Sequence, residues 1–199
     1  MNSNDNLIGK GMLMDKKPVL TMMCGLPRSG KSTWIQENQG NAIIICPDRV
    51  RLKVFGVQFY RGAEQFVWGF TNGMANLILE QKKDIIVDAT NINHKQRRAW
   101  FNIAADYCDK VRIVWFKTSI KECKVRNEKS DKNNRVPPEV IDRMARDFED
   151  PIYSQPYLHD DGIIWFQIEL IQFPSTEKTI KVGEGPSNHY LSELTAMKL

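Results

Sequence analysis

Gly25-Leu26-Pro27-Arg28-Ser29-Gly30-Lys31-Ser32-Thr33 stands directly after the apolar run Pro18-Val19-Leu20-Thr21-Met22-Met23-Cys24. The spacing is G-x-x-x-x-G-K-[ST], a buried strand leading into a loop and then a helix, and each fixed residue type has a physical task. Glycines let successive backbone N–H groups converge on a polyphosphate, a lysine brings charge to its outer phosphates, and the following hydroxyl suits a magnesium ion. Gly25, Pro27, Ser29, Gly30, Lys31, Ser32 and Thr33 are therefore the candidate ATP-binding residues, with Lys31 also serving the reaction and Ser32 the metal. The segment Thr33-Trp34-Ile35-Gln36-Glu37-Asn38 reads as the first helix, whose N-terminus would face the anion.

Outward from this loop, strand and helix signals alternate. The β-branched run Ala42-Ile43-Ile44-Ile45-Cys46 predicts a buried strand bounded by Pro47, and Asp48, a cap-type residue, opens a helix over 48–55. Between 62 and 83, Ala63, Phe66, Val67, Phe70, Met74, Leu77 and Ile78 keep a helical rhythm and are expected to face the sheet, with Trp68 on the opposite side. Residues 84–88 predict a third strand, and 94–108 a helix with Trp100, Ile103, Ala104 and Tyr107 inward. Residues 110–117 predict a fourth strand, followed by a helix through 127. Residues 128–135 contain no apolar side chain and must be an exposed charged loop, after which Pro137 and Pro138 open a helix with Val140, Met144 and Phe148 buried. A fifth strand is expected at 163–168. The alternation argues for an α/β fold, a parallel sheet with helices on both faces and a charged lid. A leader over 1–16, one domain over 17–173 and a C-terminal tail over 174–199, with a terminal helix near 190–197, complete the expected organisation.

The totals are those of an ordinary globular chain. At 199 residues, with 42% hydrophobic and 26% charged side chains, one domain with a full core fits and pervasive disorder does not. A net charge of +4 suits an anionic substrate and falls short of a nucleic-acid coat protein. Cys24, Cys46, Cys108 and Cys123 have no C-x-x-C spacing, and His94, His159 and His189 have no metal spacing, so reduced thiols and no zinc site are expected. No secretory signal and no apolar run of about 18 residues is present, and a cytoplasmic location with no membrane association is the expectation.

Ligands of an open parallel sheet bind beyond the carboxyl ends of its strands, so acids at strand ends are the ones to examine. The second strand ends at Asp48 and the third at Asp88. Asp48, beside the phosphate loop but outside it, is the candidate general base for an acceptor hydroxyl, the alternative being that it only caps its helix. Arg51, three residues on, shares its helical face and could hold an anionic group of the acceptor. Asp88 could orient magnesium, its waters or Arg51, or could merely pin the turn Thr90-Asn91, which is grouped with it on the acceptor side. Arg126 and Arg135 flank the charged loop, and either could close over the phosphates of the donor.

These motifs, in order from the phosphate loop through Asp48 and Arg51, Asp88-Ala89-Thr90-Asn91 with Arg97-Arg98, Arg126-Asn127, and Val136-Pro137-Pro138-Glu139-Val140-Ile141, resemble the kinase domain of phage-type polynucleotide kinases. The resemblance covers residues 18–151. It implies a P-loop kinase that moves the γ-phosphate of ATP, with Mg2+, to the 5′-hydroxyl of RNA or DNA. By the same resemblance Asp48 is the general base, Arg51 contacts the acceptor phosphate, and Arg126 contacts the donor phosphates. The phage-type lid carries a second arginine where this chain has Ser130, and the phosphatase motif D-x-D-x-T of bifunctional relatives is absent. A kinase of a small molecule or modified base, or an ATPase without an acceptor, shares the donor half of this pattern.

Overall fold

The apolar run before the phosphate loop becomes β1 (Val19–Cys24), the strand on which the sheet is built. The computed structural model describes residues 16–57 and 61–151, together with the backbone of strands within 158–182. After β1 come α1 (Lys31–Asn38), β2 (Ile43–Ile45), α2 (Pro47–Phe55), α3 (Glu64–Glu80) and β3 (Ile85–Val87). They are followed by α4 (His94–Ala105), β4 (Lys110–Phe116), α5 (Ile120–Glu128) and α6 (Pro138–Arg146). Four further strands are β5 (Leu158–His159), β6 (Gly162–Ile163), β7 (Gln167–Phe173) and β8 (Ile180–Val182).

The sheet order is β2-β3-β1-β4-β7-β8, parallel through β7, with β8 antiparallel at the far edge. Alternate residues of β1 serve the two faces, as strand geometry requires. Leu20, Met22 and Cys24 join the larger core with α3 and α4 residues such as Ala75, Leu79, Trp100 and Ala104. Met23 enters the other core with Trp34 and Ile35 of α1, Ile86, Val114 and Phe116. Helices therefore cover both faces, and this is the α/β arrangement of the P-loop kinase fold.

Five expectations are corrected here. The strand predicted at 163–168 lies at Gln167–Phe173, after a separate two-stranded hairpin of β5 and β6. The sheet also continues past 173, because β8 pairs with β7. β2 is an edge strand whose Ile43 and Ile44 are only half-buried. The buried face of α3 is Val67, Thr71, Ala75 and Leu79, continuing from Ala63, whereas Phe66, Phe70 and Leu77 are exposed. Small side chains every fourth residue bring α3 close to the sheet, and Thr71 satisfies its hydroxyl on the Val67 carbonyl at 2.9 Å. In α6 the fully buried residue is Ile141, with Val140 and Met144 half-buried, as is Phe148 beyond the helix end. The leader at 1–15 and the terminal helix near 190–197 lie outside the described residues. Among the described residues, no helix is long and apolar enough to cross a membrane.

Candidate active site

β1 ends in mid-sheet between β3 and β4, where an open sheet leaves a crevice, and the phosphate loop occupies that point. The Gly25 N–H donates to the Thr90 carbonyl at 2.9 Å, tying the loop to the turn after β3. A Cβ on Gly25 would lie 2.8 Å from both Phe116 Cβ and Ser29 Oγ, so this close approach admits glycine alone. Gly30, at φ 111°, turns the chain into α1 in a conformation that side-chain-bearing residues avoid. The Thr118 hydroxyl donates to the Ser29 carbonyl at 2.8 Å, bracing the loop from beyond β4. Ser29 is fully buried, and its Oγ has no hydrogen-bond partner among the described residues. Pro27 is half-buried, while Ser32 and Thr33 are exposed in the first turn of α1.

Lys31 is folded back over the loop. Its Nζ donates to the carbonyls of Gly25 (3.1 Å) and Leu26 (2.7 Å), and burial lowers its pKa to about 8. Asp88 is the strongest charge opposing that shift, and Asp48 also contributes. The ammonium is thus held by neutral dipoles in a buried place, which fits an arriving polyphosphate better than it fits water.

Asp48 sits in the first turn of α2, after Pro47 at the first helical position. No side chain caps α2, so Asp48 is not a cap; its carboxylate accepts from Arg51 Nη1 at 2.5 Å. The side chain is 79% exposed and is paired with a guanidinium that is itself buried. Desolvation by the surrounding protein raises its pKa; Arg51 opposes the shift more than Asp88 adds to it, and smaller effects come from Lys31, which opposes it, and Glu64, which adds to it. Arg51 is only 8% exposed. Its Nε and Nη2 donate to the two carboxylate oxygens of Glu64 at 2.6 and 2.7 Å, and Trp68 Nε1 donates to the same carboxylate at 3.1 Å. The hydrogen bond from Arg51 is the main cause of a lowered Glu64 pKa and of a raised Arg51 pKa. Glu64 is the residue that the sequence reading does not reach, and the expectation for Trp68, on the side of its helix away from the sheet, is corrected: it packs on the core. Trp68 lies over the core against Trp100, with ring centroids 6.4 Å apart.

Asp88 follows β3, its N–H donating to the Ile45 carbonyl at 2.8 Å, so the ends of β2 and β3 are held side by side. Its half-buried carboxylate and the exposed Ser32 hydroxyl are hard oxygen donors of the kind Mg2+ takes, and the two residues fit that ion chemically. Asn91, expected on the acceptor side, is instead 1% exposed. Its Nδ2 donates to the Met23 carbonyl at 2.8 Å and its Oδ1 accepts from Trp100 Nε1 at 3.2 Å, so both ends of the amide are spent inside the protein. Buried Arg97 holds the Asn91 carbonyl at 3.0 Å from Nη1. Thr90 contributes its carbonyl to the phosphate loop, as described above.

The charged loop is pinned at its base by Asn127, whose amide makes two bonds to the Val136 backbone at 2.7 and 3.0 Å. Arg126 Nη1 lies 3.5 Å from the Arg28 carbonyl, and its Nε pairs with Glu122 at 2.8 Å, so this arginine reaches the phosphate loop. Arg28, at φ 65°, donates in turn to the Asn134 carbonyl. Arg135 turns the other way, its Nε donating to Ser130 within the lid at 2.9 Å. Of the two lid candidates, the structure brings Arg126 to the phosphate loop and turns Arg135 aside.

Over 140 residues the chain is 29% identical to the L-seryl-tRNA(Sec) kinase of Methanococcus maripaludis, a match covering 67% of this chain and 53% of that protein. The chain thus spans about half the length of this curated relative. The fold is similar to a chain of the Pnkp1/Rnl/Hen1 RNA repair complex, with a TM-score of 0.61 at 20% identity, covering 68% of this chain and 45% of that one. It is also similar to Chaetomium thermophilum Kti12 in complex with ADP-AlF3, with a TM-score of 0.54 at 13% identity, covering 79% and 91%. Residues 20–151 match the AAA domain family, and with its phosphate loop and P-loop kinase fold the chain belongs to that family.

Proposed function

We propose that this chain is an ATP-dependent polynucleotide kinase that transfers the γ-phosphate to a 5′-hydroxyl of RNA or DNA. The observation that carries the reading is the Asp48–Arg51–Glu64 set at the strand-end crevice, opposite a phosphate loop whose lysine lies buried among neutral carbonyls. Asp48 accepts the acceptor's proton as its oxygen bonds to the γ-phosphorus, the β–γ P–O bond breaks, and ADP leaves. A carboxylate held above its ordinary pKa by desolvation is a stronger base for that step. Arg51, gripped from behind by Glu64, presents its remaining edge near Asp48, where the acceptor's own phosphate would lie. Lys31 and Arg126 oppose the charge on the transferring group. Ser32 and Asp88 would hold Mg2+, which would supply charge neutralisation for the triphosphate.

A second reading is favoured by the 29% identity to a seryl-tRNA kinase: the acceptor hydroxyl belongs to an aminoacyl group on a tRNA. One screen separates these readings. Terminally labelled ATP is offered with 5′-hydroxyl RNA and DNA oligonucleotides, seryl-tRNA, nucleosides and sugars. Label on the oligonucleotide 5′ end supports the proposal. Transfer only to seryl-tRNA, only to a small molecule, or only to water overturns it.

A further inference from the structure

Position 28 lies in the middle of the phosphate loop, and its backbone is left-handed, at φ 65°. Glycine or asparagine takes that conformation readily, whereas the Cβ of an arginine is strained in it. The arginine there is half-buried, and its side chain leaves the loop: Nη2 donates to the Asn134 carbonyl, in the short helical turn Lys132–Asn134 of the charged loop. From the other direction, Arg126 Nη1 of α5 approaches the Arg28 carbonyl at 3.5 Å. Arg28 therefore meets the lid twice, with its side chain and with its main chain.

The lid is braced so that holding its tip also holds its arms. Lys124 of α5 pairs with Asp142 of α6 at 2.6 Å, and Asn127 bonds the Val136 backbone between them. The Ser130 hydroxyl donates to the Arg126 carbonyl at 3.0 Å, and Arg135 Nε donates to the Ser130 carbonyl at 2.9 Å. Charge alone would not keep this flap on the loop. Residues 126–135 carry Arg126, Lys129, Lys132 and Arg135 against Glu128 and Asp131, and the loop carries Arg28 and Lys31, so the two surfaces repel when no polyphosphate lies between them. Hydrogen bonds to the neutral carbonyls of Asn134 and Arg28 join them without needing an opposite charge.

We infer that Arg28 is a positioning residue that latches the lid to the phosphate loop and so keeps Arg126 beside the place of the polyphosphate. The inference rests on the reading of this chain as a kinase with Arg126 as its lid arginine, and it adds the group that sets the lid before nucleotide arrives. A strained backbone at a ligand loop persists where the surrounding structure holds it, and the contact that the strained residue makes here is the one to the lid.

The test uses Arg28→Gly and Arg28→Asn, which suit the left-handed backbone but cannot reach Asn134, and Arg28→Lys, which keeps a donor of similar reach. Lid opening is read by tryptic cleavage after the exposed Lys129 and Lys132, followed by mass spectrometry, because cleavage tracks the population of the open form. Nucleotide release is read by stopped-flow displacement of a fluorescent ADP analogue, and transfer by single-turnover and steady-state rates. Arg28→Gly and Arg28→Asn are each expected to speed lid cleavage and analogue release about five- to tenfold and to slow single-turnover transfer to a similar degree. The acceptor KM should change by less than about twofold, since the latch lies on the donor side. Arg28→Lys should stay within about threefold of the parent throughout. Circular dichroism checks that the variants remain folded. Lid cleavage unchanged in Arg28→Gly and Arg28→Asn overturns the latch, and a loss of ADP affinity without faster cleavage replaces it with a direct phosphate contact. Arg28→Lys as loose as Arg28→Gly overturns it as well. Faster cleavage and faster release with transfer to no acceptor uphold the latch and remove the kinase reading instead.

Discussion

Raising the pH from about 7 to 9.5 is expected to weaken nucleotide binding, through one group. In the free protein the Lys31 pKa is lowered to about 8, because the ammonium is buried among the carbonyls of Gly25 and Leu26. A bound polyphosphate supplies the missing negative charge and raises it, so the complex holds a proton that the free protein loses above pH 8. At pH 9 about nine-tenths of free loops carry neutral Lys31. The dissociation constant for ADP is then about tenfold larger than at pH 7, or about 1.4 kcal/mol, and about thirtyfold larger at pH 9.5. The diphosphate's own ionisation, near pH 6, is complete before this window. Nearby thiols are outside it as well: burial pushes Cys24 and Cys46 up to about 11 and raises Cys123. Isothermal titration calorimetry in two buffers of different ionisation enthalpy measures the effect directly. Proton uptake should rise from roughly 0.1 per ADP at pH 7 to roughly 0.9 at pH 9. The same burial destabilises the free protein below pH 8 and is relieved as pH rises toward 10.5, so Lys31→Met should raise the melting temperature of the nucleotide-free protein. Flat affinity and no proton uptake across this range would refute the reasoning, as would an unchanged pH dependence in Lys31→Met.

Asp48→Asn should reduce transfer by at least about a hundredfold while ADP binding persists, and in the parent protein the acid limb of the pH–rate profile should lie above the ordinary carboxylate range. Glu64→Gln leaves the Arg51 fork with one neutral partner, and steady-state kinetics should show a raised acceptor KM with little change in the KM for ATP. Asn91→Ala strands the Trp100 indole N–H in the core and removes a partner of the Met23 carbonyl; a loss of about 2 kcal/mol, seen as a melting temperature lower by about 4–8 °C, is expected. Arg126→Ala should slow transfer at saturating acceptor about tenfold or more, and Arg135→Ala, whose Nε bonds to Ser130 within the lid, should slow it by less than about twofold.

The phosphate loop is legible in the sequence because its parts are consecutive: a strand, two glycines, a lysine and a hydroxyl within nine residues leave little for tertiary structure to decide. Asp48 and Asp88 are legible for a related reason, since parallel strands deliver their carboxyl ends to one edge whatever the packing beneath. The inward face of α3 is not legible, because apolar residues lie all around that helix and periodicity cannot rank them. Only the sheet, which accepts Val67, Thr71 and Ala75 at close range, decides that Phe66 and Phe70 point outward. Asn91 reads as a polar turn residue beside an acid, yet Trp100 and Met23 meet in space and consume its amide. The strand at Gln167–Phe173 follows the same rule, its place set by pairing with β4 and not by the most apolar window.

Sequence by itself therefore determined the phosphate loop, because that loop is built from consecutive residues. Tertiary structure alone decided how Arg51 is held. Its partner Glu64 is thirteen residues away, and the pair exists only because α2 and α3 meet at the end of the sheet.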